Sequence, residues 1–408
     1  MSRIRRRGRI VLLSYSTNVH PSESLPDVRE FIRSTTIPLK QRLFPDREMG
    51  LELRVGSSLL EAFSDSRAVP AVKDALLSVG LFIFSINGYA LGDFQATVVK
   101  RSAYEPPWTD PARLEATKRM IRLLGEFLPV DIPGTVSTIA GGWRDPEPAA
   151  DALDAFARAL AEAAYESRRL FDETGREVRL CIEPEPWTWI ETTREFAAFY
   201  ENHLLRAGRE HLQAGVGLSP RDAEALLRHF VGMNLDACHH AVVFENAALG
   251  VRSIRQAGIP VLKMHLSNAV AVAEPYANRR LLARLQEPRF MHQVFGRAEN
   301  QAVSRLAPDL PDLLARPESL DRISECRVHL HVPLDLSPPP GLKTTVSETE
   351  AALDAFLAGV PEGGFAPVVI ETYTWSVLPD PARPVSRPGL IAGLEGEFRW
   401  ALARLARP

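Results

Sequence analysis

Three cysteines are all that this 408-residue chain contains, and Cys181, Cys238 and Cys326 are too scattered for a disulfide framework or a Cys-x-x-Cys zinc site. A reducing, cytoplasmic setting is the expectation that follows. Equally absent is any apolar stretch near the ~20 residues that cross a bilayer. Arg3, Arg5, Arg6 and Arg7 precede the run Ile10-Val11-Leu12-Leu13, but that run is too short for a secretion signal. Polar Ser14–Asn18 follows it with no small-residue cleavage pattern, so the arginines read as a solvated terminus. A dominant charge is missing too: 48 Lys+Arg against 51 Asp+Glu leave −3, which gives no general attraction to nucleic acid or an anionic membrane. No Gly-x-Gly-x-x-Gly follows the first apolar run, which ends Ser16-Thr17-Asn18-Val19-His20-Pro21. No proline- or glycine-rich linker is long enough to divide residues 1–408, so a single domain is expected.

What is present is alternation. Short apolar runs occur at Ile10–Tyr15, Leu51–Val55, Leu81–Ile86, Val136–Ile139, Val178–Ile182, Val231–Leu235, Val261–Leu266 and Val368–Ile370. Between them lie helical patterns, clearest over Ala149–Phe171, with others over Asp27–Arg42, Asp110–Phe127, Thr193–Arg206, Asp222–Phe230 and Glu348–Leu357. Eight strands alternating with helices, and no phosphate turn, predict a closed α/β barrel of the (β/α)8 TIM type. A ninth strand-like run, Arg327–Pro333, follows a long helical and irregular stretch. Residues 270–326 are therefore expected to form an insertion between barrel strands seven and eight, acting as a lid.

In such a barrel a polar residue ending a strand faces the C-terminal mouth, where sites are built. Strand five ends at Glu183-Pro184-Glu185, strand six at Asp236 with His239 and His240 after it, strand seven carries His265, and strand eight ends at Glu371-Thr372-Tyr373. Three carboxylates sharing one low-dielectric mouth repel strongly unless a divalent cation sits among them. Mixed oxygen and nitrogen donors suit Mn, Zn, Co or Fe better than Mg. His329 and His331, two apart on the inserted strand, share a face. His239 reads as a substrate group, an outer-sphere group or a ligand to a second metal, and His240 as exposed. Trp187, Trp189, Tyr373 and Trp375 are candidates for an apolar wall, and His292-Gln293 is expected near the mouth.

The order Glu183, Asp236-x-x-His239, His265, His329-x-His331, Glu371 resembles the xylose-isomerase-like TIM-barrel superfamily of sugar isomerases, epimerases, inosose dehydratases and endonuclease IV. Over nearly the whole chain, Ser16–Pro21, Ile182–Pro186, Met291–Gln293, His329–Pro333 and Ile370–Trp375 resemble the EboE family of metabolite-traffic proteins. The first resemblance implies metal ligands Glu183, Asp236, His265 and Glu371. The second, in which glutamine is usual at position 265, leaves open whether His265 or His331/His329 supplies the metal imidazole. Together they imply Glu183 and Glu371 as proton-transferring groups, with His239, His329, Glu185, Tyr373 and His292 toward substrate. The expected activity is metal-dependent isomerisation or epimerisation of a small polyol-like metabolite in an export pathway, with other proteins of the same gene cluster as possible partners. A non-enzymatic metabolite carrier and a metal-dependent phosphoester hydrolase are the alternatives.

Overall fold

A computed structural model describes residues 3–299 and 301–407. Its strands are β1 (Arg3–Arg6), β2 (Arg9–Tyr15), β3 (Met49–Arg54), β4 (Leu81–Asn87), β5 (Gly134–Ile139), β6 (Val178–Glu183), β7 (Val231–Asp236), β8 (Val261–Leu266), β9 (Asn268–Ala273), β10 (Val294–Arg297), β11 (Val303–Ala307), β12 (Glu325–Val332), β13 (Leu342–Thr344) and β14 (Phe365–Ile370). Eight of them pair in parallel in the order β2-β14-β8-β7-β6-β5-β4-β3. A parallel bridge from Ser16 to Glu52 meets across the remaining seam and brings the sheet round on itself. The eight apolar runs of the sequence are these eight strands. They read as continuous runs because both faces are covered: every residue of β3, β4, β5, β7 and β8 is buried.

Helices clothe the outside and begin where the sequence supplies caps. The Asp110 carboxylate accepts from Ala112 N–H ahead of Pro111–Phe127, and Thr192 with Glu195 forms a reciprocal capping box before Thr193–Phe199. The long helix Ala150–Thr174 stops at Gly175, whose φ of 70° is costly for a residue with a Cβ. The helix expected over Asp27–Arg42 is interrupted by a π segment at Ile32–Thr36, just before Pro38, which has no N–H to give to the preceding turn.

Between β8 and β14 the chain builds a second, antiparallel sheet in the order β11-β10-β12-β9-β13. The sequence predicts a largely helical and irregular stretch here with one strand. Four of the five strands escaped it, because β10, β11 and β13 are only 4, 5 and 3 residues long and β9 is small and low in aromatic residues. β1 also went unread; it folds back antiparallel on β2, and Arg6 there is buried with its guanidinium on Asp354.

Candidate metal centre

Four strand ends bring their polar side chains to one volume. Glu183 closes β6, Asp236 closes β7, His265 lies in β8 and Glu371 follows β14; one donor atom from each lies within 4.8 Å of the others. His265 Nδ1 is at the centre, 2.9 Å from Glu183 Oε1, 2.7 Å from Glu371 Oε2 and 3.6 Å from Asp236 Oδ2. All four residues are buried. Asp236 also does the ordinary work of a helix cap, since its Oδ1 accepts from His239 N–H (2.9 Å) and from the Ser267 hydroxyl (2.8 Å). Its Oδ2 and the Oε2 of Glu183 have no hydrogen-bond partner among the described residues.

Orphaned carboxylate oxygens in a dry site are costly, and their direction shows what fits. Burial opposes a proton on His265, but Glu371 and Glu183 hold its imidazole well above the usual range. Burial pushes the Glu371 carboxyl up despite His265, whereas Glu183 and Asp236, against the same burial, are held low by the surrounding histidines. A divalent cation in place of that proton would meet three carboxylates and one imidazole nitrogen, a donor set suited to Mn, Fe, Co or Zn.

Beneath this set is a support that nothing in the sequence pattern marks. Glu52, in the middle of β3, places Oε1 3.2 Å from His265 Nε2. Its other oxygen accepts from Ser85 Oγ (2.6 Å) and from the Lys263 ammonium, which also donates to Ser137 Oγ (2.9 Å). Burial works to raise the Glu52 carboxyl, but Lys263 and His265 outweigh it and hold it ionised. An acceptor at Nε2 fixes the ring and leaves Nδ1 as the ligating nitrogen, the usual arrangement around metal-binding histidines. Asn18 and Asn87 do the same for Glu371, donating to its Oε1 at 2.8 and 2.9 Å. Neither amide is charged, so neither marks itself in a sequence.

Beside the first set, three histidines converge. His239 Nδ1 lies 3.0 Å from Pro184 O, His331 Nδ1 2.7 Å from Glu371 O, and His329 Nδ1 2.7 Å from Gln293 Oε1. Each therefore donates through Nδ1 and turns its Nε2 inward. His331 Nε2 is 3.2 Å from His329 Nε2 and 3.4 Å from His239 Nε2. Asp236 groups with His239 and His331 within metal-binding reach, so one carboxylate adjoins both sets. Burial keeps His239 down at about 4 and, with its two histidine neighbours, His329 well below the usual range. Three imidazole nitrogens facing one another suit a soft divalent ion such as Zn.

The remaining expectations divide. Glu185 lies at the cavity, where burial pushes its carboxyl up to about 8 against a hydrogen bond from Tyr104 (2.6 Å). Tyr373 sets its ring 4.7 Å from that of His331, tilted by 46°. Gln293 enters the site, donating to Tyr104 Oη (2.6 Å) and Pro186 O (3.1 Å). His292 faces away from the mouth, with its nitrogens 2.7 Å from His329 O and from Glu287 Oε1. The aromatic wall is made by Tyr89, Phe94, Tyr104, Phe290 and Tyr373. Trp375 instead donates to Glu397 (3.2 Å) and Trp189 to Trp143 O (2.9 Å). His240, expected to be exposed, is fully buried, because the helix Ala237–Val242 turns it inward onto Glu245 Oε2 at 2.7 Å.

The cavity above the site is small, about 50 Å3, which is room for roughly two waters. Its walls are tied across the opening. Lys100, on the segment after β4, reaches Asp309 Oδ2 (2.6 Å) and Phe290 O (2.7 Å), and the N–H groups of Val99 and Lys100 both donate to Arg289 O (2.8 Å).

An α/β barrel with an acidic and histidine-lined mouth is the class these features define. No family model and no curated protein matches the chain. Among solved structures it is similar to a xylose isomerase-like TIM barrel protein from Mycobacterium smegmatis in complex with magnesium, at 14% identity over 97% of both chains and a TM-score of 0.49. It is also similar to IolI protein with a binding zinc atom (9% identity, 97% of this chain and 99% of that one, TM-score 0.49). A third is an L-ribulose 3-epimerase (14% identity, 97% and 98% covered, TM-score 0.45). At such identities and scores, the chemistry open to this chain rests on its own residues.

Proposed function

We propose that this chain is a divalent-metal-dependent isomerase or epimerase of a small polyol-like or hydroxy-carbonyl metabolite. The observation that carries the reading is the meeting of Glu183, Asp236, His265 and Glu371, with two of the carboxylate oxygens left without partners. Their metal, when bound, would polarise a substrate carbonyl and acidify the neighbouring C–H. Glu183 and Glu371 come from β6 and β14, three places apart in a ring of eight strands, and so flank a substrate from two sides. One takes the proton and the other returns it, while Asn18 and Asn87 steady Glu371. Glu185 and Tyr373 line the space left for substrate hydroxyls, and the aromatic wall keeps bulk water out. Residues 270–326 act as the lid, tied to the opposite wall where Lys100 meets Asp309 and Phe290. The place of this reaction in metabolite traffic, and any partner from the same gene cluster, rest on the motif resemblance alone.

Metal content by mass spectrometry, after reconstitution with Mn, Fe, Co or Zn, tests the reading. One tightly held ion per chain in the native protein, lost in a Glu183→Ala/Asp236→Ala variant, is expected. No ion in the reconstituted native protein would overturn the enzymatic reading in favour of a metabolite carrier. A second reading, hydrolysis of a small phosphoester, is favoured by the three converging Nε2 atoms beside Asp236. Nearly two ions per chain would shift weight to it.

A further inference from the structure

β12 has two working faces. Its residues alternate, so His329 and His331 point to the barrel mouth while Leu330 and Val332 point the other way. Behind them is a cavity of about 190 Å3 that is separate from the mouth. Its walls are mostly carbon, from Val270, Leu285, Leu330, Val332, Leu342 and Leu378. Protein interiors leave few voids larger than a water, and an apolar cavity of roughly 150 Å3 holds a benzene ring. This one has space for about six to eight carbons.

The rim is not neutral. Arg284 and Lys343 are both exposed there, and among the described residues neither has a carboxylate partner. Arg284 Nη2 reaches only the carbonyl of Asp380, at 3.5 Å. The one acid on the rim, Asp380, has its carboxylate engaged by Arg383 at 3.2 Å. Two cations without a carboxylate partner thus border an apolar pocket.

We propose that this cavity is a binding site for a small amphiphile, a ring or short chain of hydrocarbon bearing a carboxylate head, with Arg284 and Lys343 holding the head and Leu330 and Val332 the body. Octanoate is the probe, titrated calorimetrically into the full metal-loaded chain. Saturable binding of one octanoate per chain is expected, weakened at least tenfold in Arg284→Glu/Lys343→Glu and in Ala382→Trp, which sets an indole at the lip. Both variants keep their metal. The Glu183→Ala/Asp236→Ala variant keeps octanoate binding. No saturable binding to the native protein, equal binding to both cavity variants, or loss of binding in the metal-site variant would each overturn the proposal. If Ala382→Trp does not fold, the charge-reversal variant, whose changes are on exposed residues, decides alone.

Discussion

Replacing Glu52 with glutamine keeps the size of the side chain and removes one charge, in a place where neither Glu52 nor Lys263 is exposed at all. Two consequences separate cleanly. Stability falls because the Lys263 ammonium is left buried without its counter-ion, a loss of roughly 3–5 kcal/mol when one member of a buried pair is removed. Metal affinity falls for another reason: the His265 Nε2–H then meets a neutral acceptor, which makes Nδ1 a weaker donor. Outer-sphere changes of that kind cost about 10–100-fold in affinity, or about 1.4–2.8 kcal/mol of binding. A second change, Lys263→Met, removes the stranded cation. The double variant should therefore regain most of its urea stability while still binding metal 10–100-fold more weakly in chelator competition. An unchanged metal affinity in Glu52→Gln would refute His265 Nδ1 as a ligand supported from below. Equal stability losses in the single and double variants would refute the account of Lys263.

Three further outcomes are expected. His331→Ala should reduce metal content from nearly two ions to one in any preparation that holds two, and loss of both ions would place His331 in the carboxylate set instead. Burial pushes the Glu397 carboxyl up to about 7 against donors from Thr372, Leu334 N–H and Trp375, so the folded chain holds a proton there that the unfolded chain releases from about pH 4.3. Stability from this group is full below that pH and lost as the pH rises through about 7. Native protein should thus lose roughly 2–3 kcal/mol more than Glu397→Gln between pH 4.5 and 8, and parallel denaturation curves would contradict this. Burial pushes the thiols of Cys181 and Cys326 up to about 12 and that of Cys238 well above its usual range. Ellman's reagent at pH 8 should find no reactive thiol until the protein is unfolded, and prompt labelling of the native chain would argue otherwise.

The barrel was legible because strands buried on both faces are largely apolar, and polar residues at the ends of such runs stand out. Glu183, Asp236 and Glu371 were visible on that ground. Glu52 was not: in Leu51-Glu52-Leu53-Arg54 it looks like the solvent face of a half-buried strand, and only barrel closure turns it inward. Asn18 and Asn87 carry no charge to attract notice. The second sheet was hidden by short strands whose pairing is long-range, such as β13 against β9. His240 was misjudged because its neighbour His239 suggested a turning loop, whereas the Asp236 cap starts a helix that buries both.

The alternation in β12 also limits how this part of the chain can change over time. Its pairing with β9 already departs from regular register between Val328 and Val332, close to the two histidines. Inserting or deleting one residue ahead of that point would exchange the faces, sending Leu330 and Val332 towards Asp236 and both imidazoles into the hydrocarbon pocket. The strand itself tolerates length changes only in steps of two residues, which keep both faces in place. Descendants of this chain should therefore show substitutions along Glu325–Val332 and no single-residue insertion or deletion within it.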